Sequence, residues 1–252
     1  MTVDDERKIS FKSKESYLSN GAYKTELSTI SNGLLNKAIQ NSSEKLQSSL
    51  FVIKSYAQLL QRTQDVDRLD RGVKLMENSS EKMDLTIQAL LSLMHLYTNE
   101  KPISDLVFFQ EVYDKVIVDM YEEIKASEVT IEVDFEEHTK VWFPNEYLTV
   151  IVREIISNSI LHNIYVDDLV IKLKSYKLLN SVILEVTDNG GGFVFPTDKA
   201  EIREPFNNLS KLDQCQGVGL SKIEAILKRT DCAFDIESSI GEGTTCRFYF
   251  NQ

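Results

Sequence analysis

The chain has 252 residues, with 28 Lys and Arg against 39 Asp and Glu, a formal charge of −11. That length allows one large domain or two ordinary ones, and the acidic balance argues against nucleic acid or an anionic membrane as partner, since both need a basic surface. No stretch reaches the roughly 18 consecutive apolar residues of a membrane helix, and the opening MTVDDERKISFKSKESYL lacks the apolar centre of a signal peptide, so a cytoplasmic protein without a membrane span is expected.

Residues 1–30 read as a polar, irregular lead-in. From about Leu34 apolar residues recur at steps of three and four: Leu35, Ile39, Leu46, Leu50, Ile53, Ala57 and Leu60. This is one stripe of a long helix. The polar segment RTQDVD (62–67) is a turn, and a second stripe follows at Val73, Met76, Ser80, Met83, Ile87, Leu90, Met94 and Tyr97, the spacing of a coiled-coil seam. Residues 31–101 are thus an antiparallel helical hairpin, closed by Lys101-Pro102 because proline cannot continue the hydrogen-bond ladder. One hairpin cannot bury both stripes, so either two copies form a four-helix bundle or the helices pack on the rest of the chain; the homodimer is the preferred reading.

Residues 105–252 form the second domain. A linking strand and an amphipathic helix occupy 105–127, VTIEVDF alternates as a half-buried strand does, and KVWFPNEYL holds a short strand and a turn. A helix over 147–163 turns Leu148, Ile151, Val152, Ile155, Ile156 and Ile160 inward. Strands near 169–176 and 181–186, a helix near 220–229, and strands at 233–238 and 245–250 complete the chain. The order lacks the regular βαβ rhythm of a doubly wound fold, so the class is α+β, a helical hairpin followed by an α/β sandwich. Cys215, Cys232 and Cys246 have no CxxC spacing and indicate neither zinc nor disulfide; buried small residues are the simplest reading.

Several stretches carry chemistry. The strand SVILEV runs into Asp188-Asn189-Gly190-Gly191-Gly192-Phe193, which places a carboxylate beside bare backbone amides and leaves room for a flat ligand with an N–H donor. On the helix before it, Glu154 and Asn158 are four residues apart and share a face. That pair can hold a hydrated Mg²⁺, Glu154 can act as a general base, or both can simply face water. Gly217-Val218-Gly219-Leu220 opens a helix whose first amides can meet phosphate, Glu204-Pro205-Phe206 precedes it, and Gly241-Glu242-Gly243-Thr244 forms a turn before the last strand.

Together and in this order these stretches resemble the ATP-binding domain of sensor histidine kinases, the Bergerat (GHKL) fold shared with DNA gyrase B, the Hsp90 chaperones and MutL. The asparagine box looks like EIISNSILHN, the glycine boxes DNGGGF, GVGLS and GEGTT, and the phenylalanine box EPF; the hairpin resembles the dimerisation and phosphotransfer helices. The resemblance implies ATP and Mg²⁺ as ligands. It implies that Asp188 binds the adenine amino group in a pocket shaped by Gly190 and Gly192, with His162 as a wall and Thr244 supporting the adenine side. By the same resemblance Asn158 coordinates Mg²⁺, Glu154 occupies a metal or catalytic position, and Gly217, Gly219 and Leu220 are ATP-binding positions, the two glycines along the phosphates. Residues 207–216 would be a nucleotide lid, with Lys211 contacting phosphate.

The sequence departs from the family at the phosphate acceptor. The register of IKSYAQLL puts Glu44 in the slot of the phosphorylated histidine, Lys45 in that of its acidic neighbour and Ser49 in that of a proline. A carboxylate there could form only an energetic acyl phosphate, with no adjacent base, so self-phosphorylation at the usual position is not expected. His95, near the foot of the second helix, and His138, among acids, lack a nucleophile setting. Leu161 stands where a phosphate-binding lysine is common, and Cys215 where a glycine is usual. The expected function is therefore an ATP·Mg²⁺-binding, dimeric pseudokinase that regulates a phosphorelay with a response regulator or an intact histidine kinase. The alternatives are an active ATPase or kinase using a partner or a non-standard acceptor, and a non-catalytic dimeric binding module.

Overall fold

The computed structural model describes residues 20–62, 65–136, 139–195, 202–206, 216–230 and 232–251, with side chains from residue 33 onward. Helix α1 (Asn20–Leu60) and helix α2 (Val66–Thr98) form the hairpin. The lead-in expected for residues 1–30 is shorter than that, because α1 already runs from Asn20; Tyr23, Leu27, Ile30 and Leu34 extend the three-four spacing back past the polar residues around them. Helix α2 also starts earlier than its apolar stripe, at an N-cap where the Asp65 carboxylate accepts the N–H groups of Asp67 and Arg68.

Leu93 apart, the buried positions described in the hairpin are small or hydroxylic. Ser42 on α1 and Gly72, Ser79, Thr86, Ala89 and Leu93 on α2 are buried. Gly72, Ser79, Thr86 and Leu93 repeat at heptad spacing, one residue before Val73, Ser80, Ile87 and Met94 of the expected seam. The helices therefore meet along the first line, and Val73 (45% exposed) and Ile87 (41%) are left facing outward. Phe51 (72%) and Leu91 (52%) add to this unburied apolar surface.

The second domain begins with strand β1 (Asp105–Phe108), antiparallel to β3 (Lys140–Phe143) in a two-stranded sheet. The single helix expected after β1 is two, α3 (Phe109–Asp119) and α4 (Tyr121–Ser127), separated at buried Met120. The main sheet has five strands in the order β2-β4-β5-β7-β6, formed by β2 (Thr130–Phe135), β4 (Val170–Leu178), β5 (Ser181–Asp188), β6 (Cys232–Ser239) and β7 (Gly243–Asn251). Only β2 and β4 are parallel. Helix α5 (Asn145–His162) covers the sheet with the side chains expected from its sequence, Leu148, Ile151, Val152, Ile155, Ile156 and Ile160, all buried against Ile171, Leu173, Leu184 and Phe248. Helix α6 (Gly219–Leu227) packs beside α5 with Ile223 and Ile226 inward. The outer face carries charge pairs, Arg247 to Glu185 and Glu237, and Lys172 to Glu132. The result is the expected α+β arrangement of a helical hairpin and a two-layer sandwich.

Cys232 and Cys246 are buried thiols, each pushed up to about 12 by desolvation, which suits them for packing and not for reaction. Among the described residues no helix is long and apolar enough to cross a membrane.

The hairpin docks on the sandwich where the chemistry-bearing stretches lie. Ala38, Ala89 and Leu93 form one buried cluster with Phe206 and Val218, and Arg229 donates to the carbonyls of Leu96 and Asn99 at the end of α2. Phe248, fully buried and stacked on Phe234 at 4.8 Å, is central to the sandwich. Phe248→Ala should lower stability by about 3–5 kcal/mol through the cavity it leaves, measured as a drop in the urea midpoint at unchanged slope.

Candidate functional site

Asp188 is the last residue of β5 and is buried at 6% exposure. The strand runs two residues past the expected Val186 and ends on the aspartate before the glycines, fixed by pairing of Asp188 with Thr244 on β7. Its Oδ1 accepts the N–H groups of Gly190 at 3.0 Å and Thr244 at 3.2 Å, and its Oδ2 accepts the Ser159 hydroxyl of α5 at 2.9 Å. Each carboxylate oxygen has two acceptor directions. Oδ2 uses one of its two on Ser159, so it can still take an N–H from a ligand.

The glycines after Asp188 are held from two sides. Asn163 anchors itself through its Nδ2 to the Ser159 carbonyl at 2.8 Å and accepts the Gly191 N–H at 2.8 Å. A β-carbon on Gly190 would lie 2.1 Å from Asn163 Oδ1. Gly192 has φ +60, and a β-carbon there would come 2.0 Å from the Ser239 carbonyl, so neither the backbone conformation nor the space admits a side chain. The Gly191 carbonyl accepts from Gly241, and Phe193 N–H donates to Ser238 Oγ. The two glycine stretches, some fifty residues apart in sequence, are therefore one hydrogen-bonded floor. Thr244 contributes its backbone N–H to Asp188, while its hydroxyl lies 3.0 Å from that of Ser238.

At the other end of the cleft, Glu154 and Asn158 face the first turn of α6. A β-carbon on Gly219 would be 2.9 Å from Glu154 Oε2 and 3.1 Å from the Asn158 amide atoms. The α6 N-terminus has no side-chain cap and no acidic residue in its first turn, which leaves its opening amides for an anion. Leu220 is half-buried against the core. Gly217, at φ +72, accepts the Phe206 N–H at 2.7 Å. This bond joins the two ends of the expected lid. Lys211 and Cys215, on that lid, and His138 lie outside the described residues.

Lys222 was not singled out by the sequence, and it alters the reading of Glu154. Its Nζ lies 2.6 Å from Glu154 Oε1, and both side chains are less than one-fifth exposed. The sequence expectation of Glu154 and Asn158 as joint Mg²⁺ ligands fits poorly with this. One carboxylate already balanced by an ammonium, plus a neutral amide, is a weak donor set for a cation that prefers carboxylates and phosphates. Among the described residues no group of three or more His, Cys, Asp and Glu side chains could hold a metal.

His162 stands at the end of α5, exposed to solvent on one side and crowded on the other. Desolvation on the crowded side pulls its pKa below the usual 6.5, opposed by the nearby Asp188 charge. Leu161, beside it, is half-buried. Glu44 is exposed on α1 and lines a cleft of about 530 Å³ with Asn41, Lys45, Ser48, Glu204 and Phe206. Glu44, at the expected acceptor position, therefore faces the sandwich. Lys45 donates to the Gln216 carbonyl at 3.0 Å and lies 5.5 Å from the centre of the Phe206 ring; Asn41 donates to the Pro205 carbonyl at 2.9 Å, and Lys37 pairs with Glu204. His95 is exposed, with Nδ1 3.0 Å from Asn99 Nδ2, remote from this cleft in sequence and partners.

Residues 145–252 match the family of histidine kinase-, DNA gyrase B- and HSP90-like ATPases. The match runs from α5 to the end of the last strand, and the hairpin lies before it. Sensor histidine kinase GraS of Staphylococcus epidermidis is 26% identical over 134 residues, covering 51% of this chain and 37% of that protein. The chain therefore matches little more than a third of this curated relative's length. Among solved structures, histidine kinase ThkA in complex with response regulator protein TrrA superposes with a TM-score of 0.70 at 15% identity, covering 91% of this chain and 66% of that one. Acinetobacter baumannii histidine kinase AdeS gives 0.58 at 16% identity, over 82% and 96%. ShkA, solved with AMPPNP, gives 0.57 at 16% identity, over 90% and 45%. These structures share the fold.

Sequence reasoning had reached Asp188, the glycines, Asn158 and Glu154 but missed Ser159, Asn163 and Lys222. Ser159 and Asn163 were legible in principle, being polar residues four apart on an apolar helix. Lys222 had no local signal, because its partner lies sixty-eight residues away. The lowered His162 pKa sets a pH dependence. Folding favours the neutral ring, so this contribution is complete above pH 6.5 and is lost as pH falls through the lower folded value. NMR titration of His162 should give a midpoint below 6.5, and Asp188→Asn, which removes the opposing charge, should lower it further.

Proposed function

We propose that this protein is a dimeric, ATP-binding pseudokinase that regulates a phosphorelay in the cytoplasm. The observation that carries the reading is a pair of opposites in one chain. The Asp188 pocket is fully assembled, whereas the acceptor slot holds Glu44, whose neighbour Lys45 is engaged with Gln216 and Phe206. A carboxylate without an adjacent base cannot replace a nucleophilic imidazole, and Glu154, tied to Lys222, is not free to activate water. In this proposal Asp188 takes the adenine amino group and His162 borders the pocket. Gly217, Gly219, Leu220 and the α6 amides meet the phosphates, joined by Lys211 from the lid. Asn158 offers oxygen to any Mg²⁺ that accompanies the nucleotide.

The partner in the dimer is a second copy of the hairpin, seated on the outward line of Val73, Ile87 and Leu91. A response regulator or an intact histidine kinase is the proposed further partner, approaching the face that carries Glu44. Light scattering should give a mass of twice the chain, and Val73→Glu with Ile87→Glu should halve it while leaving the sandwich folded.

The deciding experiment incubates the purified protein with γ-labelled ATP and Mg²⁺, following bound nucleotide, protein-bound label and released phosphate. ATP should bind, with neither label nor phosphate release. Asp188→Asn should weaken binding about ten- to hundredfold, the worth of a hydrogen bond to a charged group. Phosphate release or a labelled partner, abolished by Asp188→Asn, would instead establish an active ATPase or kinase. Absence of any nucleotide binding would leave a dimeric binding module.

A further inference from the structure

Lys222 occupies an unusual place for a cation. It lies in the first turn of α6, where the helix dipole disfavours positive charge and favours negative. What holds it there is Glu154 of α5, whose Oε1 is 2.6 Å from the ammonium. A β-carbon on Gly219 would fall 2.9 Å from Glu154 Oε2 and 3.1 Å from the Asn158 amide atoms, so the carboxylate, the amide and the uncapped start of α6 border one small space, with the Lys222 ammonium on the carboxylate. Alone, the Glu154 carboxylate would repel a polyphosphate arriving at this end. Its charge is already balanced by a side chain of the same protein.

From this geometry we infer that Lys222 takes over the work of a divalent cation, so that the site binds ATP in the metal-free form. The inference rests on the ATP-binding reading above and concerns the phosphate end of that site. An ammonium has three donors and no acceptor. With one N–H kept on Glu154, the remaining two can reach phosphate oxygens arriving at the α6 N-terminus. The arrangement is like that of a divalent cation in kind, a fixed positive charge between two negative groups, but with one unit of charge in place of two. A further difference is that the charge is covalently part of α6 and needs no recruitment from solution. Mg²⁺ then becomes dispensable for affinity, and because Glu154 stays engaged, the site holds nucleotide without preparing a base for its hydrolysis.

The test is titration calorimetry of the full chain with ATP, once with excess Mg²⁺ and once with excess EDTA. The wild-type dissociation constants should agree within about threefold, a difference of under 1 kcal/mol. Lys222→Met removes the ammonium and leaves Glu154 uncompensated, so its affinity in EDTA should fall at least about tenfold and be largely restored by Mg²⁺. Lys222→Arg keeps the charge and should keep binding in EDTA. Circular dichroism melts of both variants control for folding, and Glu154→Gln with Lys222→Met, which deletes the pair together, should bind in EDTA better than Lys222→Met alone. Wild-type binding that requires Mg²⁺ would overturn the inference and leave the proposed function standing. Lys222→Met binding unchanged in EDTA would also overturn it, since the charge would then come from elsewhere. No binding under either condition would remove the ATP reading itself.

Discussion

A carboxylate removed from water is costly unless the protein supplies the hydrogen bonds that water gave it, and in this fold that requirement falls on Asp188. Its partners come from three separate elements: Ser159 on α5, Gly190 just beyond β5, and Thr244 on β7. Satisfying one side chain therefore fixes the angle of a helix over a sheet, the start of a glycine turn and the register of two neighbouring strands. Asn163 extends the same network one helical turn further, and the Gly191 to Gly241 bond carries it to the far end of β6. The Asp188 end of the site is hydrogen-bonded throughout.

The Glu154 end of the site is built on a different principle. It has charge in place of a hydrogen-bonded floor, with Glu154 and Lys222 in partial burial beside an uncapped helix start. A buried pair of this kind adds little to stability by itself, because desolvation offsets the attraction; what it does is set the local charge to zero in a place where a carboxylate alone would oppose an anion.

Local patterns in the sequence reveal much of this arrangement. The apolar spacing of α5 gave its buried face residue by residue, and the glycine turns marked where backbone approaches backbone. Legibility ended where a structural fact depends on a distant partner. The hairpin stripe on α2 was read correctly as apolar, but only the packing against α1 shows that the helices meet along Gly72, Ser79, Thr86 and Leu93. Periodicity fixes that a helix has an apolar side; it cannot choose between lines one residue apart when small side chains let two backbones come close. Glu154 is the sharper case. Its residue type and its spacing from Asn158 suggested a metal ligand, and a lysine from another helix changed that meaning.

The bond from Phe206 N–H to the Gly217 carbonyl holds together the two flanks of the proposed lid, and Phe206 is at the same time packed against Ala38, Ala89 and Leu93. Phe206 is thus shared between the sandwich and the hairpin's wall. Thermodynamic linkage makes such a shared joint work in both directions: if filling the cleft alters how tightly Phe206 sits on α1 and α2, then whatever grips or bends those helices alters affinity in the cleft by the same factor. Coupling of this kind runs through the shared joint itself and requires no group to be transferred between the two compartments.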